Sequence, residues 1–225
     1  MLELVGLEHR FDGRSASAPP ALDIASLAIL PGRLTVIRGP SGSGKTTLLY
    51  VLSGLIKPTA GQVRWSGTDI ATLGEGERDR WRRRNAGFVF QSFNLMEEMS
   101  PMGNVTLAAY FSALTDKAVR ERAIALLDRF GVANEARRVD SYSRGEQQRV
   151  ALARALVFDP PILFADEPTA SLDEGNSTQL CDEFKHLAGE GRTIVAVSHD
   201  PLLIAAADVV VALDHGRIAE GEAQP

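Results

Sequence analysis

One short run constrains this chain more than any other. Gly39-Pro40-Ser41-Gly42-Ser43-Gly44-Lys45-Thr46 satisfies G-x-x-x-x-G-K-[ST] at every fixed position. It follows an apolar run, Leu34–Arg38, that reads as a strand, and it leads through Thr46 and Thr47 into a helical stretch. That strand–loop–helix context is what the motif requires. The glycines let the backbone wrap closely and aim successive N–H groups at phosphate oxygens. The helix N-terminus adds favourable partial charge. Lys45 can reach terminal phosphates, and the Thr46 hydroxyl can ligate Mg²⁺. In open α/β sheets, ligands sit at the C-terminal ends of the strands, where this loop begins.

Two further runs, Ile162–Ala165 and Thr193–Val197, read as buried parallel strands that end in polar residues. Strand character then stops after Gln91. Val119–Phe130 and Arg149–Phe158 instead space their apolar residues as amphipathic helices do. The expected architecture is α/β, a P-loop core with a helical lobe inserted and a short C-terminal hairpin turning at Asp214-His215-Gly216. Asp12–Pro20 (DGRSASAPP) reads as an exposed hairpin loop.

Composition removes several classes. At 225 residues and 44% hydrophobic, the chain suits one large domain and not a disordered tail. Its 29 acidic residues exceed its 24 Lys and Arg, the wrong sign for binding duplex nucleic acid through phosphates. A single cysteine, Cys181, excludes an internal disulfide and a cysteine-cluster metal site, and its apolar neighbours mark a buried thiol. The longest apolar stretch, Leu202–Leu213, is interrupted by Asp208 and falls short of the roughly 20 residues of a spanning helix. The N-terminus lacks the pattern of a signal peptide. If the chain works at a membrane, something else holds it there.

A nucleotide site needs a second metal anchor and a group to position water. Pro161-Ile162-Leu163-Phe164-Ala165-Asp166-Glu167 delivers two carboxylates at a strand end, Asp166 for the metal and Glu167 for the water. Ser143 followed by Glu146 is a capping box that opens the Arg149–Phe158 helix, which Asp159-Pro160-Pro161 closes.

Taken in order, the phosphate loop, Gln91, Ser143-Arg144-Gly145-Glu146-Gln147-Gln148-Arg149, Asp166-Glu167-Pro168-Thr169, Asp173 and Ser198-His199-Asp200 resemble the nucleotide-binding subunit of an ATP-binding cassette (ABC) transporter. The resemblance covers nearly the whole chain. It implies a RecA-like P-loop core over about residues 1–90 and 160–225, with an N-terminal antiparallel β-subdomain and a helical subdomain over about 91–159. It also implies ATP and Mg²⁺ as cofactors. Ser143, Gly145 and Glu146 would face the nucleotide held by a second copy, so two chains would meet head to tail around two ATP molecules. Phe11 would stack on adenine, where the family more often has tyrosine. Gln91 would link metal and water to the helical lobe, Asp173 would communicate across the dimer, and His199 would contact the γ-phosphate.

Two positions depart from the family pattern. Arg144 stands where the signature has glycine, and Gly103 stands where a glutamate usually precedes Asn-Val. Gly87-Phe88-Val89-Phe90-Gln91-Ser92-Phe93-Asn94-Leu95 is most similar to the lipoprotein-releasing and macrolide-exporting branch, which also includes a cell-division ATPase. The branch implies an integral membrane permease partner, an adaptor beyond the membrane, and a place on the cytoplasmic face. The short segment after Gly216 leaves no room for an appended regulatory domain. Met96, Met99 and Met102 suit a soft groove for a partner's helix. The serious alternative is a soluble ABC ATPase acting on nucleic acid or ribosomes. The basic run Arg80-Trp81-Arg82-Arg83-Arg84, mixed with Glu77 and Asp79, reads as a solvated helix face.

Overall fold

The computed structural model describes residues 1–11, 19–110, 117–133 and 137–219. Most of the expected Asp12–Pro20 loop lies outside the described residues. In chain order the first elements are β1 (Leu2–His9), β2 (Leu22–Ile29), β3 (Leu34–Arg38), α1 (Lys45–Leu52), β4 (Ala60–Trp65), β5 (Thr68–Asp69), α2 (Glu75–Asn85) and β6 (Ala86–Val89). There follow α3 (Pro101–Tyr110), α4 (Lys117–Arg129), α5 (Arg144–Leu156), β7 (Ile162–Asp166) and α6 (Glu174–Gly189). The chain continues through β8 (Thr193–Val197), α7 (Pro201–Ala206), β9 (Val209–Asp214) and β10 (Arg217–Ile218).

The strands form two sheets. One is antiparallel with four strands in the order β2-β1-β4-β5, and the other has six in the order β10-β9-β3-β8-β7-β6. Within the second, β9, β3, β8, β7 and β6 run parallel, with Val36 beside Ala196 and Phe164 beside Val195. Alternation along these strands feeds two cores. Leu34, Val36, Leu163, Ala165, Ile194 and Ala196 point into one core, with apolar residues of α3, α4, α5 and α6. Ile37, Ile162, Phe164, Val195 and Val197 point into the other, with Leu48 and Leu52 of α1 and the inner face of the antiparallel sheet. Burial on both faces is why these strands read as continuous apolar runs. Phe164 is fully buried beneath Trp65 and Phe88, and its removal to alanine would cost about 3–5 kcal/mol.

Helices α3, α4 and α5 lie between β6 and β7 in the chain, so the helical insertion expected from the sequence is present. Helix α4 covers Lys117–Arg129, close to the expected Val119–Phe130. Helix α5 begins at Arg144, five residues before the expected Arg149, because its first turn is fixed by the cap and not by apolar spacing. Ser143 Oγ accepts from the Glu146 N–H at 3.3 Å while the Glu146 carboxylate accepts from the Ser143 N–H at 2.8 Å. Among the described residues, no helix is long and apolar enough to cross a membrane.

Candidate functional site

The phosphate loop leaves β3 under tight constraint. A Cβ on Gly39 would lie 2.0 Å from the Leu213 carbonyl oxygen of β9, so only glycine lets the loop pass there. Beyond it, the Gly216 N–H donates to the Ser43 carbonyl at 2.9 Å and the Asp23 N–H donates to the Gly216 carbonyl at 2.8 Å. The turn of the last hairpin therefore joins the loop to β2. Lys45 folds back, its Nζ donating to the carbonyls of Gly39 at 2.9 Å and Pro40 at 3.0 Å. Among the described residues, the Ser43 hydroxyl is buried without a partner. An ammonium held by loop carbonyls and a buried unpaired hydroxyl within one glycine-rich turn fit a polyphosphate.

A cleft of about 840 Å³ opens over this loop. Gly39, Pro40, Ser41, Gly42, Gly44, Lys45, Thr46 and Thr47 form its floor, with Phe11, Gln91, Glu167 and His199 around them. Phe11 is 42% exposed, and its ring meets His9 edge to face with centroids 4.9 Å apart. An exposed ring at the rim of a polar cleft is available for stacking.

Strand β7 brings its carboxylates to the same place. Asp166 is 7% exposed, and its Oδ1 accepts from the Thr46 hydroxyl at 3.0 Å. Burial pushes the Asp166 carboxyl above its ordinary value, and hydrogen bonds from Thr46 and Tyr50 oppose that shift. A hydroxyl and a carboxylate at this separation supply the hard oxygen ligands that Mg²⁺ takes alongside substrate phosphates. Glu167 follows in the left-handed region, at φ 45°, held there by its N–H donating to the Val197 carbonyl at 2.9 Å. That twist at the strand end turns its side chain toward the cleft, where Oε2 lies 3.0 Å from Nδ1 of His199. Such strain at a non-glycine residue costs of order 1 kcal/mol and is concentrated at functional positions.

The remaining expected residues lie elsewhere. Ser143, Gly145, Glu146 and Asp173 do not line the cleft; they form a second cluster where α5 meets the start of α6. Asp173 caps α6, accepting from the Asn176 N–H at 2.8 Å and from its side-chain amide at 2.7 Å. Asn176 in turn accepts from Arg149 at 3.1 Å and presses on Gly145, where a Cβ would lie 2.2 Å from its Oδ1. Hydrogen bonds from Ser143 hold the Glu146 carboxyl below its ordinary value, and those from Asn176 do the same for Asp173. One chain therefore carries two separate polar surfaces, a loop cleft and a capped helix end.

Helix α5 also grips the segment after Gln91. Arg154 donates to the carbonyls of Phe93 and Asn94, both in the left-handed region. Arg144 lies over the Phe93 ring instead of pointing freely into solvent. In the next turn of chain, buried Asn104 accepts from the Met96 N–H at 2.7 Å and donates to the Met96 carbonyl at 3.0 Å. Two of the three methionines differ accordingly. Met102 packs against the core, whereas Met96 is 49% exposed.

Sequence reasoning missed Pro19, Pro20, Ala21, His215 and Gly216, all of which line the cleft. It also missed Tyr50, whose hydroxyl hydrogen bonds to Asp166. A signal for the hairpin residues was present, since a parallel strand next to β3 must end beside the loop that follows β3. For Tyr50, the i, i+4 spacing from Thr46 on α1 was available.

Residues 22–170 match the family described as ABC transporter. The chain is 40% identical over its whole length to a macrolide export ATP-binding/permease protein, MacB, of Rhodospirillum rubrum, of which it covers 35%. It is 42% identical over 85% of its length to a MacB 1/2 of Paracoccus denitrificans, of which it covers 29%. The chain thus spans about a third of the curated relatives it matches. A bacterial ABC transporter cassette solved as a dimer superposes with a TM-score of 0.88 at 32% identity, each chain covered in full. The same cassette, in a dimeric post-hydrolysis state bound to ADP and Pi, superposes equally well. This chain belongs to the ABC transporter family and folds as its ATP-binding cassette.

Proposed function

We propose that this chain is the ATP-hydrolysing cassette of an export or mechanotransmission complex. Two copies close head to tail around two Mg-ATP, and closure drives an integral membrane permease at the cytoplasmic face. An adaptor beyond the membrane completes the assembly. Bound Mg-ATP supplies the electrophilic γ-phosphorus, with its charge partly neutralised by the metal. This chain's residues do the rest. Lys45 and the amides from Gly39 to Thr47 hold the phosphates, and Phe11 stacks on adenine. Thr46, Asp166 and Gln91 would hold the metal. Glu167 orients and deprotonates water, and His199 holds Glu167 and the γ-phosphate side of the cleft. Ser143, Gly145, Glu146 and Asp173 serve the site of the other copy.

The observation that carries this reading is the contact between Glu167 and His199 at 3.0 Å over the phosphate loop. A general base must reach the water beside the transferred group, and this pair stands at that edge of the cleft. The separation of the loop cleft from the Ser143–Asp173 cluster supports the head-to-tail arrangement. The likeness to MacB proteins, whose names join ATP-binding and permease functions, supports the membrane partner. The test is sizing chromatography and phosphate release with Mg-ATP. ATP-dependent dimers that hydrolyse ATP are expected; a monomer that hydrolyses ATP at full rate in dilute solution overturns the head-to-tail site.

A further inference from the structure

Helix α2, reading EGERDRWRRRN, carries five arginines, more basic residues than any other described element, in a protein of net charge −5. Its inward side is fully used. Trp81 packs near Trp65, with ring centroids 6.3 Å apart. Arg82 donates to the Gly54 carbonyl at 2.6 Å and pairs with Asp79. The methylenes of Arg78 close over Gly54. Arg80, Arg83 and Arg84 lie on the opposite side, spaced three and four residues apart, and all three are exposed. Among the described residues their side chains make no hydrogen bond or ion pair. Glu77 heads the same side, but its carboxylate is tied back to the Gly74 N–H at 3.1 Å.

A basic last turn complements the helix dipole, and one charge there would suffice for that. Three guanidinium groups turned outward from one helix, with no carboxylate partner among the described residues, are complementary to an anionic surface. The loop pinned to α2 through Gly54 adds a second element. It presents Leu55, 40% exposed, and the exposed Lys57. An exposed apolar side chain on the loop that this helix holds suits the interface of a bilayer, which accommodates it together with cations, better than a phosphodiester backbone.

We propose that Arg80, Arg83 and Arg84, with Leu55 and Lys57 of the adjoining loop, form a contact surface for the anionic phospholipid headgroups of the membrane that holds the permease. The proposal rests on the reading of this chain as a membrane-coupled cassette. It adds a direct protein–lipid contact that orients the cassette independently of the permease. Each arginine brought to an anionic bilayer strengthens attachment about five-fold, so the three together contribute roughly 100-fold at low salt. Salt screens such an attraction within about 10 Å at 0.1 M.

The experiment is flotation of the full chain with vesicles of phosphatidylcholine alone and of phosphatidylcholine with phosphatidylglycerol. It is run at low and high salt, for the wild type, for Arg80→Gln/Arg83→Gln/Arg84→Gln and for Leu55→Ser. The wild type is expected to float with the phosphatidylglycerol vesicles only, and to be released by salt. The triple variant should lose nearly all of that binding, and Leu55→Ser several-fold. An unchanged melting temperature shows that the triple variant is folded; Lys117→Gln, which removes one exposed cation at the start of α4, serves as a charge control. Equal binding by the wild type and the folded triple variant overturns the proposal, as does no binding to phosphatidylglycerol vesicles. Tighter binding to duplex RNA than to vesicles also overturns it and assigns the face to nucleic acid. ATP hydrolysis by the triple variant without vesicles is measured in parallel. Absence of hydrolysis in the wild type as well would count against the cassette reading, whereas vesicle binding alone decides the lipid surface.

Discussion

The guanidinium carbon of Arg144 lies 5.8 Å from the centre of the Phe93 ring. This joins the first residue of α5 to the segment that follows Gln91. Phe93 is 2% exposed, so its ring is a fixed platform, and the Arg154 contacts hold the same segment from further along α5. A cation over a partly desolvated ring contributes about 0.5–2 kcal/mol. A double-mutant cycle of Arg144→Gln and Phe93→Leu, read by chemical denaturation, should give a coupling of about 0.5–1 kcal/mol. Because this cation is engaged within its own chain, Arg144→Gly should leave the salt dependence of ATP-driven dimerisation unchanged. A weaker salt dependence in that variant would place the charge at the dimer seam instead.

Glu167→Gln should retain ATP binding and lose turnover by roughly 10²–10⁴-fold, the usual contribution of a general base. With Mg-ATP the variant should run as a stable dimer on sizing chromatography. Turnover at the wild-type rate, with no additional dimer, would remove Glu167 from the base role.

Gly145→Ala places a methyl group 2.2 Å from Asn176 Oδ1. Overpacking of this kind costs about 1–3 kcal/mol. For a chain of this size that lowers Tm by roughly 3–10 °C in a thermal melt. Asn176→Ala should recover part of the loss in the double variant. An additive double variant would show that the strain lies elsewhere.

Hydrogen bonds from Ser143 depress the Glu146 carboxyl from its ordinary 4.5. A depressed folded-state value means that the ionised carboxylate stabilises the fold above the unfolded value, and that this stabilisation disappears as pH falls through the folded one. The Tm gap between wild type and Glu146→Ala should therefore be full at pH 7 and shrink once pH drops below about 4.5, the ordinary glutamate range. A cap of this type contributes about 1 kcal/mol, so the gap at pH 7 should be a few degrees. A gap that grows on acidification would contradict the capping role.

Cys181 is 5% exposed, and burial pushes its thiol up to about 11. The folded protein should resist iodoacetamide at pH 8 and react stoichiometrically in denaturant, as read by mass spectrometry. Rapid labelling without denaturant would show that α6 opens far more readily than its packing implies.

Much of the site was legible because its signals are local. The loop from Gly39 to Thr46, the Asp166-Glu167 strand end and the Ser143–Glu146 cap each fall within eight residues, and each occupies the kind of element expected of it. The relationships that were not legible cross long stretches of chain. Arg144 on Phe93 spans 51 positions, and Tyr50 reaches a carboxylate 116 positions away. Nothing in the spacing of Arg144 and Phe93 announces their contact, and for Tyr50 the spacing marks only the helix face it shares with Thr46; tertiary packing sets each pair together. The start of α5 was placed late for a related reason. Apolar periodicity begins only near Val150, whereas Arg144 to Arg149 are helical through the cap and through contacts with Asn176 and Phe93.

The seam through Ser43, Gly216 and Asp23 has a consequence for biosynthesis. The phosphate loop leaves the ribosome well before β9, with α1 directly behind it. Its floor against Leu213 and its bond from Gly216 belong to residues translated about 170 positions later. A nascent chain stalled before β9 would carry the whole sequence motif and still lack the wall that holds the loop in shape. Competence to hold a nucleotide therefore waits until β9 and the turn at Gly216 have emerged and docked.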